Sequence, residues 1–90
     1  MNPATVFTEK YFYEELGRFR QAMADKTWWA RPEQDRDAWV SGLAFVYLQI
    51  QNDDGSNPTR EQIDKWAMIF NATMREYNRR MFYMTVNPPK

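Results

Sequence analysis

The segment Ala38-Trp39-Val40-Ser41-Gly42-Leu43-Ala44-Phe45-Val46-Tyr47-Leu48-Gln49-Ile50 decides the fold class, because it reads two ways. Residues 45–50 are rich in β-branched and aromatic side chains and have the composition of a short strand. Across the whole segment, Trp39, Leu43, Val46 and Ile50 recur at steps of four, three and four, the spacing that lines side chains up on one helix face. Val40 and Tyr47 fall beside that stripe, with Phe45 and Leu48 roughly opposite. Together with Ala38 and Ala44, the stripe decides for a helix over residues 32–51. A helix apolar on more than one side sits among its neighbours, so this one is expected at the centre of the fold.

On the N-terminal side, Pro32 suits the first helical position, and Glu33, Asp35 and Asp37 place negative charge at the positive end of the helix dipole. Thr27, Trp28, Trp29, Ala30 and Arg31 read as a break, because the residue before a proline is disfavoured in the helical region. Further upstream, Phe12, Leu16, Phe19 and Met23 repeat the helical spacing and define a first helix over residues 8–26, with Thr8 as its N-cap. Gly17 costs this helix about 1 kcal/mol of propensity and is expected at a close helix crossing. Tyr11 and Tyr13 lie off the main stripe and are candidates for a second contact surface.

On the C-terminal side, Asn52, Asp53, Asp54, Gly55, Ser56, Asn57 and Pro58 form the clearest turn in the chain. Thr59 and Gln62 have the spacing of a capping box. Ile63, Trp66, Phe70, Met74, Tyr77, Met81 and Met84 then trace a third and longest helix over residues 59–84. It is expected to overhang the other two, so that Arg75, Arg79, Arg80, Phe82 and Tyr83 project from the body, with residues 86–90 as a loose tail. The expected architecture is a single all-α domain over residues 1–90, a small three-helix bundle, monomeric or homodimeric.

Composition narrows the function. The chain of 90 residues holds four Trp, six Phe, five Tyr and six Met, but no His and no Cys. Large aromatics supply a core without disulfides, since each removes about 150 to 250 Å² from water. Missing are the side chain that titrates nearest neutral pH, the thiol nucleophile and the two commonest zinc ligands, which weighs against an enzyme. Small secreted domains tend to carry disulfide bridges, so the expected location is the cytoplasm. No run approaches the length of a membrane span, and residues 1–8 lack a leader pattern, so no membrane association is expected and the whole chain is expected to be the mature one. Net charge is zero, unevenly spread. Residues 1–31 carry five basic and four acidic side chains, residues 32–58 one and five, and residues 59–90 six and three. A zero total removes the general pull that drives nonspecific nucleic-acid binding.

With Gly55 at the sixth position of a calcium-binding helix–loop–helix, Asn52, Asp54 and Glu61 fall on ligand positions, but Ile50 falls on the first, where an oxygen is required. No metal is expected there. Glu14 and Glu15 diverge by about 100° on a helix and share no site. Asp35 with Asp37 and Asp53 with Asp54 lie at solvent-rich segment ends. Ser41 and Ser56 have no histidine base, and no phosphate-binding glycine loop is present. Catalytic residues and cofactors are therefore both expected to be none.

Arg75, Arg79, Arg80 and Tyr83 form the best candidate for nucleic acid, since guanidinium groups grip phosphates and rings stack on bases. Trp28 and Trp29 are the most informative pair: neighbours in a loop point in different directions, so one is expected to plug the bundle while the other faces out beside Arg31 as a binding anchor. The leading expectation is a module that binds another protein without chemistry, through Trp28, Trp29, Tyr11, Arg31, Arg75, Arg79, Arg80, Phe82 and Tyr83. Small aromatic-dense helical chains without motifs are frequent among phage and mobile-element inhibitors of host machines, anti-CRISPR proteins for example, and that general analogy suggests an inhibitor or adaptor. The alternatives are a nucleic-acid binder using the basic helix end, and an assembly factor or structural subunit.

Overall fold

Four α-helices account for most of residues 7–86, the part of the chain described by this computed structural model. They are α1 (Glu9–Met23), α2 (Lys26–Trp29), α3 (Glu33–Leu48) and α4 (Arg60–Val86). The three long helices fall where the periodicity placed them, which establishes the all-α class. The short α2 was not expected. It occupies the stretch read as a break, and it forms because Asp25 caps it: Asp25 Oδ1 accepts from the Thr27 amide at 2.9 Å and the Thr27 hydroxyl at 2.7 Å. Pro32 still ends the run, sitting at the N-cap of α3 rather than inside it.

The strand reading of residues 45–50 survives at one position. α3 ends at Leu48, and Ile50 makes an isolated parallel bridge with Phe7, closed by the Gln51 amide donating to the Phe7 carbonyl at 2.9 Å. The turn that follows is built as its residues demand: Gly55 takes φ 82°, and its amide donates to the Asn52 carbonyl at 2.8 Å. The capping box closes reciprocally, Gln62 N–H to Thr59 Oγ1 at 3.2 Å and Thr59 N–H to Gln62 Oε1 at 2.8 Å. α4 then runs unbroken through Val86. Residues 87–90 of the expected tail lie outside the described residues.

The centre of the fold is α1, not α3. Phe12, Leu16, Phe19 and Met23 of α1 are all buried, and α1 packs against each of the other three helices. Within α3 only Leu43 and Val46 are buried, while Leu48 and Phe45 are exposed, Phe45 meeting the Phe7 ring edge-on at 5.7 Å. Two apolar sides on α3 thus give one packed face and one bare face. Gly17 is exposed and a side chain there would meet no neighbour within 4 Å, so it marks no helix crossing. α4 contributes Trp66, Thr73 and Tyr77 to the core, whereas Ile63, at the start of the expected stripe, is exposed. Buried Thr73 is satisfied: it accepts from Arg20 at 2.9 Å and donates to the Ile69 carbonyl at 3.0 Å.

Candidate protein-interaction surface

Trp28 and Trp29 do not divide between inside and outside. Both are buried, at 4% and 5% exposure, so neither is the projecting anchor that their adjacency suggested. In α2 they sit between α1, α3 and α4, and each finds a different partner set. Trp28 meets Phe19 and Trp39 edge-on, with ring centroids 5.6 and 5.8 Å away. Trp29 stacks on Tyr77 at 5.7 Å and donates its indole N–H to the Met23 carbonyl at 2.8 Å. The Arg36 guanidinium lies over the outer face of Trp29, 5.6 Å from the ring centroid, and donates to the carbonyls of Trp29 at 3.2 Å and Arg31 at 2.7 Å. Arg31 itself is exposed and enters this network only through its backbone.

Two buried polar atoms in this cluster, Arg36 Nε and the Tyr77 hydroxyl, have no hydrogen-bond partner. Burial pushes the Tyr77 phenol above its ordinary value, and Arg36, by the hydrogen bond its guanidinium offers the phenol and then by its charge, opposes that rise, although no bond of full geometry closes between them. The tryptophan region is a sealed piece of core.

The basic residues of α4 divide as well. Arg80 turns inward, half-buried, donating to the Met23 carbonyl at 3.1 Å and pairing with Glu76 at 3.1 Å. It holds α4 to the end of α1. Arg75 and Arg79 are exposed, and among the described residues neither has an ion-pair partner. Phe82 and Tyr83 are 72% and 60% exposed. The structure therefore sets Arg75, Arg79, Phe82 and Tyr83 on the solvent side of α4, leaves Trp28 and Trp29 in the interior, and engages the half-buried Arg80 in bonds within the fold. Tyr11 is remote from them, partly exposed and stacked on Phe7 at 5.3 Å.

Four further bare apolar positions lie outside the expected site residues. Met68 is 72% exposed, and Val86 is 62% exposed. Both fall on the α4 face that also holds Arg75, Arg79 and Phe82. Their signal was a second periodic line, offset from the core stripe. On α3, Leu48 is 74% exposed and Phe45 57%. Met81 and Met84 do pack as filler against the core.

At the opposite end of α4, Glu9, Gln51, Asn52, Asp53, Asp54, Thr59 and Gln62 line an open cavity of about 550 Å³. Its polar groups are largely engaged with each other. Glu9 accepts from the Trp66 indole at 2.6 Å, and Gln62 donates to Asn52 at 2.9 Å. The Asp54 carboxyl is held below its ordinary range by hydrogen bonds from Ser56. Among the described residues no group of three or more His, Cys, Asp or Glu side chains is placed to hold a metal ion. Within the same residues no helix is long and apolar enough to cross a membrane. A scan against protein-family models and searches of curated proteins and of solved structures find no match to this chain.

Proposed function

We propose that this protein is a non-enzymatic binding module, an inhibitor or adaptor that grips a larger protein through the C-terminal half of α4. The observation that carries the reading is the exposure of Phe82, Tyr83 and Val86 next to two unpaired guanidinium groups, Arg75 and Arg79. Aromatic and arginine side chains are the types that concentrate binding energy at protein interfaces. The scaffold behind them is best described as a three-helix bundle with α2 closing one end. Its size and lack of motifs fit cytoplasmic phage or mobile-element inhibitors of host machines, as anti-CRISPR proteins are.

A photo-crosslinking residue in place of Tyr83 tests this in the native cells. A discrete crosslinked protein at position 83, absent when the probe replaces Asp53, is the expected result; equal labelling from both positions, or none, overturns it. The nucleic-acid alternative is weakened by the inward turn of Arg80, which leaves two free arginines to contact phosphate. A homodimer is a second reading with its own observation. Phe45 and Leu48 project from a stretch of α3, residues 38–48, that has no charged side chain, so a second copy meets no like charge there.

A further inference from the structure

Asp54 and Gly55 are neighbours in the turn between α3 and α4, and both are exposed. Of the three glycines in the chain, only Gly55 follows an aspartate or an asparagine. That pairing is the one most open to attack of the chain on itself, because a glycine amide has no Cβ beside it to keep it from the carboxyl carbon of the preceding side chain. In the reaction the Gly55 nitrogen bonds to Asp54 Cγ, while the amide hydrogen and the carboxyl hydroxyl leave together as water, and a five-membered succinimide closes. Water then reopens the ring. Opening at Cγ restores aspartate. Opening at the backbone carbonyl carbon of Asp54 leaves the chain running through Cβ and Cγ, an isoaspartate with one extra backbone carbon. Water is the sole co-reactant.

In the folded chain both reacting groups are occupied. The Gly55 amide donates to the Asn52 carbonyl at 2.8 Å, and Asp54 Oδ1 accepts from the Ser56 amide at 2.9 Å. The first bond keeps the proton on the attacking nitrogen, and the second holds the carboxylate toward the amide beyond it. Asn52 is itself fixed, since its side chain donates to Ser56 Oγ at 3.1 Å and accepts from Gln62 at 2.9 Å. Hydrogen bonds from the Ser56 side chain and amide also hold the Asp54 carboxyl below its ordinary range, and a carboxylate has no hydroxyl to release as water.

We infer that Asp54–Gly55 is a site of spontaneous isoaspartate formation, which the folded turn holds closed and local opening of the turn releases. The extra carbon would separate Gly55 from the Asn52 carbonyl and strain the Asn52–Gln62 contact that ties the turn to the start of α4. Conversion thus records how often this connection opens and, once made, weakens it. The inference is independent of what α4 binds.

The full chain, kept for several weeks at neutral pH in buffer and in guanidinium chloride, tests it by peptide mapping with fragmentation that distinguishes the two linkages. Isoaspartate at position 54 is expected to accumulate at least about tenfold faster in the denaturant, because unfolding frees both reacting groups. Asn52→Ala leaves Asp54, Gly55 and Ser56 in place but removes the side-chain ties, and should raise the rate in buffer by about fivefold, with helicity checked by circular dichroism. Asp54→Glu, whose ring would need a sixth member, should abolish the product at this position in both conditions. The Gly55 amide of the wild type should also exchange its hydrogen at least about tenfold more slowly in buffer than an unstructured chain does. Equal accumulation in buffer and denaturant, no product at position 54 in denaturant, or a Gly55 amide that exchanges at the unstructured rate overturns the inference.

Discussion

Trp28–Trp29 and Phe82–Tyr83 are both pairs of adjacent aromatic residues, yet one pair is sealed in the core and the other is bare. Intrinsic hydrophobicity does not separate them. What differs is the number of elements within reach. The tryptophans sit in a four-residue helix at the junction of three longer ones, so side chains about 100° apart both meet packed neighbours. Phe82 and Tyr83 sit near the end of a helix of 27 residues, while α1 and α3 have 15 and 16. Among the described residues no helix lies opposite their side of α4. Burial in this small fold follows from topology, and the exposed pair is available for a partner because the buried pair has taken the helices.

The largest effect expected from disturbing this contrast is at Trp28. Trp28→Ala removes the ring that meets Phe19, Trp29 and Trp39, and should destabilise the fold by about 3–5 kcal/mol in urea unfolding. Arg36→Ala uncovers Trp29 and leaves two carbonyls without their donor, for an expected loss of about 1–2 kcal/mol by the same measurement. Tyr77→Phe keeps the stack on Trp29 while deleting a buried hydroxyl that meets only the Arg36 guanidinium and closes no well-formed bond with it, and should change stability by no more than about 1 kcal/mol.

Tyr77 also predicts an alkaline signature. Its folded value is raised, so the protonated phenol's contribution is complete below the unfolded value of about 10 and is lost as pH rises through the higher folded value. Thermal melts should therefore fall more steeply above about pH 10 in the wild type than in Tyr77→Phe. The smallest effect belongs to the exposed pair: Phe82→Ser with Tyr83→Ser should change stability by no more than about 0.5 kcal/mol while reducing partner capture. A large loss of stability there would show that the overhang is part of the core after all.

The long helices were legible because each announces itself twice, once through a 3.6-residue stripe and once through its ends. Thr8 and the Thr59–Gln62 pair bond as their spacing implied. Residues whose place depends on the relative position of whole helices were not legible. Pro32 reported correctly that the chain breaks, but it masked Asp25, whose carboxylate starts a helix four residues long. The surplus apolar side of α3 was visible in Phe45 and Leu48. Whether that side faced a neighbour or water depended on α1 taking the centre, and no local pattern encodes this. Arg75, Arg79 and Arg80 look alike in sequence; the 100° step from Arg79 to Arg80 turns one outward and carries the other to the Met23 carbonyl.

That carbonyl oxygen accepts from both Trp29 Nε1 and Arg80 Nη1, donors from two other helices. The last turn of a helix ordinarily frays on its own, since its final carbonyls have only solvent to answer them. Here the end of α1 cannot loosen without releasing the α2 indole and the α4 guanidinium as well. The terminus that would be the softest point of an isolated helix becomes a clasp, tying local breathing of α1 to global opening of the molecule.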